Sequence, residues 1–239
     1  MINEKIRIDE TTAYPLAEKR FIQTCGFNLE KEKHQRMMKM GRKVREDGLD
    51  GIDIRALVSF FGPEVFDDGK ISVNGQEIAC NYFEQIPAES VEGIYFYMLS
   101  AGECYFSSEE NIMDFLYADI WGTNYVDAGI EVLTRDHIRK DMEERFSGRE
   151  AYLSEEFGPG YFGMPVIETK KFFKILDGSL IDVRVKESGL MIPQKTCAGL
   201  YIVLNRSDIK AEPECMRCRG NKQGCQFCAV RAKKREVNG

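Results

Sequence analysis

The chain has 239 residues, 43% of them hydrophobic and 30% charged, with a formal net charge of −6. That is enough apolar sequence to bury a sizeable core in one or two domains. The acidic balance argues against a general nucleic-acid surface, which makes a domain basic. No apolar run approaches a membrane span and Met1-Ile2-Asn3-Glu4-Lys5 opens no signal peptide, so a reducing cytoplasm and no membrane partner are expected. In that compartment the eight cysteines are expected as thiols or metal ligands rather than disulfides.

Residues 13–24 read as a short helix stopped by Gly26, a suitable C′ residue. Asn28 is expected to cap a second helix to about Asp47, with its run of charges on a solvated face. His34 on that helix and His137 further on lie far apart without flanking ligands, and both read as surface residues. Strand character follows at 52–60 and 70–73, the second ending at the tight-turn pair Asn74-Gly75. Residues 77–85 read as one or two helical turns before Pro87, and the aromatic run 91–99 as a central strand.

A capping box, with Ser107 as cap and Glu110 reaching back, opens the longest helix, about 109–142. Gly122 and Gly129 inside it each cost about 1 kcal/mol against alanine, so another helix or a ligand is expected to pack closely there. Residues 166–176 read as a short helix, and 180–185 and 198–204 as the strands completing the sheet. Cys25, Cys80, Cys104 and Cys197 stand isolated among apolar residues and are expected to be buried.

Two blocks stand out from this pattern. Gly158-Pro159-Gly160-Tyr161-Phe162-Gly163-Met164-Pro165 and Lys186-Glu187-Ser188-Gly189-Leu190-Met191-Ile192-Pro193 are Gly- and Pro-rich turns flanking an amphipathic run. The glycines permit close backbone approach and Pro159 stiffens the loop, so Tyr161 has a hydroxyl and a ring face to offer another molecule.

The spacing of Pro159-Gly160-Tyr161, Pro165, Glu187-Ser188 and Pro193, with Gly199-Leu200-Tyr201 downstream, resembles the S-adenosylmethionine-binding activation domain of cobalamin-dependent methionine synthase. Segments 20–27 and 119–123 look like its short, free-standing bacterial members, so the similarity spans about residues 14–204, with 158–201 the specific part. It implies an α+β fold, with a bent, mainly antiparallel sheet flanked by helices over residues 1–204, and favours close packing of the helix glycines against the sheet.

The resemblance also implies a site. Gly158, Pro159, Gly160, Tyr161, Glu187, Ser188 and Tyr201 would hold S-adenosylmethionine, with Tyr161 facing the methyl donor or a corrinoid and acting in catalysis. One position departs: the family's arginine, five residues before the tyrosine, falls on Glu156. That arginine would hold the donor's carboxylate as a bidentate pair, which a glutamate would repel. Either Arg149 or Arg184 substitutes for it, or the ligand is altered.

A second constellation lies in residues 205–239: Cys215-x-x-Cys218 and Cys225-x-x-Cys228, six residues apart, follow Glu212-Pro213-Glu214. Paired elbows of this kind surround one tetrahedral zinc or one iron–sulfur cluster. Zinc would fold the tail, whereas a cluster would relay the low-potential electron that an oxidised corrinoid needs; the sequence leaves both open. Arg217, Arg219, Lys222, Arg231, Lys233, Lys234 and Arg235 offset thiolate charge, dock an acidic electron donor or corrinoid protein, or form a solvated tail.

The chain has no Asp-x-His-x-x-Gly corrinoid segment, so cobalamin would arrive on a partner methyltransferase. Two functions follow. The first is reactivation of methionine synthase or a related corrinoid methyltransferase by reductive methylation with S-adenosylmethionine. The second is a non-catalytic, metal-stabilised module that binds a corrinoid protein or nucleic acid.

Overall fold

The computed structural model describes residues 1–103 and 111–210; the capping box at Ser107 and the cysteine quartet at 215–228 lie outside the described residues. In chain order the elements are β1 (Glu4–Ile8), α1 (Glu10–Thr24), α2 (Glu32–Asp47), β2 (Ile52–Phe61), β3 (Phe66–Asp67), β4 (Lys70–Val73), β5 (Gln76–Ala79) and β6 (Val91–Gly102). There follow α3 (Ile112–Leu133), α4 (Arg139–Arg145), β7 (Tyr152–Leu153), α5 (Thr169–Ile175), β8 (Arg184–Val185), β9 (Met191–Ile192) and β10 (Thr196–Leu204).

Five strands pair antiparallel in the order β1-β2-β6-β10-β7. β6 is the middle strand because both its faces are apolar, and period-two alternation sends them to different cores. Tyr95, Tyr97, Leu99 and Ala101 join the core under α1, α2 and α3, whereas Ile94, Phe96 and Met98 join one formed with α5 and the β3-β4-β5 sheet. The α+β class, with an antiparallel sheet covered by helices, is as the resemblance implies.

The helical layer is held by rings and a half-buried ion pair. Phe21 of α1 stacks on Trp121 of α3 with centroids 4.1 Å apart. Gly41 of α2 admits the Phe21 ring, since a Cβ there would lie 2.8 Å from it. The Trp121 indole donates to the Gly41 carbonyl at 2.8 Å. Arg45 pairs with Glu10, donates to the Tyr125 hydroxyl at 2.7 Å and lies over the Tyr14 ring.

Three local expectations are revised, and one strand was not foreseen. β1 is a charged edge strand whose alternation (only Ile6 and Ile8 buried) is too short to stand out. Residues 76–79 are a strand, not helical turns: Asn74 and Gly75, with φ of 50° and 73°, form a tight hairpin turn that requires an antiparallel partner for β4. The second helix starts at Glu32 rather than at Asn28, whose side chain instead accepts from Glu30 N. Residues 180–185 do not complete the main sheet; β8 pairs with β9 in a separate hairpin.

α3 is capped by Asn111, whose Oδ1 accepts from Met113 N and Asp114 N at 2.9 and 3.3 Å. Its glycines pack as expected, Gly129 against the sheet. A Cβ at Gly129 would lie 3.0 Å from Ile54 and 3.1 Å from Leu99; one at Gly122 would lie 2.9 Å from the Lys195 side chain. The helical run does not continue smoothly, because residues Thr134–Ile138 form a π-helical turn before α4.

Candidate functional site

The segment after α4 runs along the free edge of β10. Leu153 and Tyr152 pair with Val203 and Leu204, and Phe157 exchanges two backbone hydrogen bonds with Leu200 at 2.9 and 2.7 Å. Glu156 therefore stands beside the sheet rather than in a free loop. Its carboxylate accepts a hydrogen bond from Tyr97, whose ring is fully buried on β6.

Residues 158–165 then fold back on themselves. Tyr161 N donates to Gly158 O, Met164 N to Tyr161 O and Gly160 N to Met164 O, at 2.9, 2.9 and 2.8 Å. Gly160 and Gly163 take φ of 93° and 76°, which the reversal requires. Gly158 packs on β10, where a Cβ would meet Ala198 O at 2.9 Å. Met164 is buried and the Phe162 ring rests on Phe157, so the loop is anchored on both sides of Tyr161. Tyr161 itself remains 65% exposed.

The second block closes a tight turn between β8 and β9, with Gly189 at φ 88° and Lys186 N donating to Leu190 O at 2.8 Å. This turn brings Ser188 to the same cleft as Pro159 and Tyr161. The cleft has a volume of about 550 Å³ and is completed by Val126, Asp127 and Ile130 of α3, by Glu156, and by residues 194–198. Lys195 stands at its rim, held by Asp119 at 2.6 Å and Thr123 at 2.9 Å.

At Asp127, Ile130 and Glu156 the cleft meets a second compartment, also about 550 Å³, lined by Arg20, Thr134, Arg135, Arg139 and Tyr201. Tyr201 is buried, its hydroxyl 3.0 Å from Thr134 Oγ1, and its ring lies nearly parallel to that of Tyr97. Burial raises the Glu156 carboxyl above the ordinary glutamate range; the Tyr97 hydrogen bond opposes this and the Asp127 charge adds to it. Asp127 is raised for the same reason, with Arg20 opposing. Burial also pushes the Cys197 thiol, on the cleft wall, well above its ordinary value. This thiol is therefore no ready nucleophile.

Of the residues implied by the sequence, Pro159, Tyr161 and Ser188 line the cleft, Tyr201 lines the adjoining compartment, and Gly158 and Gly160 shape the loop. Glu187 is exposed and lines neither space. Arg149 pairs with Glu92 and lies over Phe146, and Arg184 is exposed on β8, so neither replaces the missing arginine here. Cys80 is buried, while Cys25 and Cys197 are half-buried. Sequence reasoning missed Asp127 and Arg139. Asp127 falls on the α3 face that carries Ile130, a spacing of three that was legible. Arg139 was not, because the π-helical turn placing it has no sequence signal.

The groups present can meet a ligand that carries both apolar and charged parts. The loop supplies a ring and backbone, the β8-β9 turn a hydroxyl, and Glu156 and Asp127 two carboxylates suited to an ammonium or sulfonium. A carboxylate would have to find its cation in the arginine-lined compartment. Among the described residues no cluster of three or more His, Cys, Asp or Glu is placed to hold a metal, and no helix is long and apolar enough to cross a membrane.

No protein-family model and no curated protein sequence matches the chain. Among solved structures it is similar to the crystal structure of the MetH reactivation domain bound to AdoHcy, with a TM-score of 0.62 at 13% identity. The similarity covers 86% of this chain and 79% of that one. This chain therefore has the fold of the MetH reactivation domain.

Proposed function

We propose that the protein is a reactivation component of a cobalamin-dependent methionine synthase or related corrinoid methyltransferase, and that its cleft takes S-adenosylmethionine. The observation that supports this most is convergence. The loop at Tyr161 and the turn at Ser188, far apart in sequence, line one cleft in a fold whose solved relative holds AdoHcy.

When bound, S-adenosylmethionine supplies an electrophilic methyl group on a sulfonium. The protein's part is positioning. Tyr161, standing exposed on a doubly anchored loop, bounds the open side where a corrinoid on a partner protein would approach. Gly158 and Gly160 let the backbone come close, Ser188 offers a hydroxyl, and the carboxylates of Asp127 and Glu156 offset positive charge on the ligand. On this reading the quartet Cys215, Cys218, Cys225 and Cys228 carries zinc or an iron–sulfur cluster, the latter relaying an electron from a low-potential donor.

A reconstitution tests this. A cobalamin methionine synthase lacking its own reactivation domain, inactivated by oxidation, is mixed anaerobically with the chain, a low-potential reductant and S-adenosylmethionine. Recovery of turnover that requires both the chain and S-adenosylmethionine is expected. No recovery with an intact, folded chain would leave the second reading, a non-catalytic, metal-stabilised module that binds a corrinoid protein or nucleic acid.

A further inference from the structure

The charge at position 156 is the wrong sign for a ligand carboxylate, yet the space beside it holds three guanidinium groups. Two of them are engaged. Arg20 pairs with Glu131 at 2.8 Å and lies 4.0 Å from Asp127, and Arg135 grips Asp136 through two bonds of 3.0 and 2.5 Å. Arg139 has no carboxylate partner among the described residues, and it lines the compartment together with Glu156 and Tyr201.

The backbone sets this arrangement up. The amide of Arg139 donates to the Thr134 carbonyl, a five-residue step that a regular helix does not make. In an α-helix residues five apart point in widely different directions, about 140° around the axis. Here Thr134 and Arg139 line the same compartment. π-helical turns of this kind are frequent at functional sites, and this one delivers a guanidinium without a carboxylate partner among the described residues to a space that Glu156 also lines.

A free guanidinium and a carboxylate lining one small compartment match the two ends of an α-amino acid group, which carries a carboxylate and an ammonium on the same carbon. We propose that this compartment is an amino-acid pocket, in which Arg139 takes the ligand's α-carboxylate and Glu156 its α-ammonium. The nucleoside part then occupies the cleft beside Tyr161 and Ser188. This rests on the function proposed above and deepens it: the arginine absent from position 156 is replaced from another element, and Glu156 is a binding group instead of an obstacle.

Calorimetric titration of the full chain with S-adenosylhomocysteine and with 5′-methylthioadenosine, the same nucleoside without the amino-acid end, separates the two ideas. Arg139→Ala is expected to weaken S-adenosylhomocysteine about tenfold to a hundredfold, the range for losing a charge-assisted pair, and to leave 5′-methylthioadenosine unchanged. Glu156→Gln is expected to act with the same selectivity, and Arg139→Lys to recover part of the loss. Because Arg139 is exposed, its truncation should not disturb folding, which a thermal melt checks. Wild-type affinity for S-adenosylhomocysteine in Arg139→Ala, or an equal loss for both ligands, would overturn the pocket assignment while nucleoside binding stood. If neither nucleoside binds the wild-type chain, the functional reading itself falls and the pocket with it.

Discussion

The Tyr97 hydroxyl reaches Glu156 only because residue 199 is glycine. Gly199 faces Tyr97 across the β6-β10 pair, and a Cβ there would lie 2.7 Å from the Tyr97 hydroxyl and 2.9 Å from Phe157 O. One small residue on β10 thus opens the path by which a buried tyrosine holds the carboxylate that borders both compartments. Gly199→Ala should cost about 1–3 kcal/mol, the usual range for overpacking, read as a shift in urea midpoint at unchanged m-value.

Tyr97→Phe keeps the ring and removes the donor. It should destabilise the fold by about 1–3 kcal/mol, the cost of leaving a half-buried group unpaired. Equilibrium denaturation measures this, and a loss near zero would mean that water or Tyr201 replaces the bond.

The pH dependence at Glu156 has a definite sign. Its carboxyl is raised in the fold, chiefly by burial, so the native state holds its proton over a window where the unfolded chain has released it. Through that window, from the ordinary glutamate value upward to the raised one, stability falls as pH rises. Glu156→Gln removes this term. The variant should gain stability relative to wild type as pH rises above the ordinary glutamate value, about 4, measured as urea midpoints; a constant difference would contradict the burial of the charge.

Much of this site was legible in the sequence. Glycine and proline mark the 158–165 reversal, whereas Phe162 and Met164, which anchor it, were not singled out. The run 91–99 was visible as a central strand because both its faces are apolar. Charge on short edges hid β1, and a hairpin partner requirement outweighed local appearance at 76–79. The compartment beside Glu156 was hidden for a different reason: it depends on a change in helical pitch at Thr134–Ile138, and on Tyr201 meeting that turn across the fold.

Two glycines in the loop should respond differently. Gly160→Ala meets only Val166, at 3.7 Å, so its cost is backbone strain at positive φ, about 1–2 kcal/mol. Gly163→Ala carries similar strain and also places its Cβ 2.4 Å from the Asn81 side chain. Gly163→Ala should therefore be the less stable of the two in parallel thermal melts, and equal melting points would show that Asn81 yields freely.

The central claim is that the cleft between Tyr161 and Ser188 binds the nucleoside methyl donor or its product. Titrating the isotopically labelled chain with S-adenosylhomocysteine and following its backbone amides by NMR tests this most directly. Saturable shifts are expected at Gly160, Ser188, Gly189 and Ala198, with little change at Ile71 and Ile78, buried in the β4-β5 hairpin and lining neither the cleft nor the adjoining compartment. An unchanged spectrum at millimolar ligand, or shifts confined to residues away from the cleft, would contradict it.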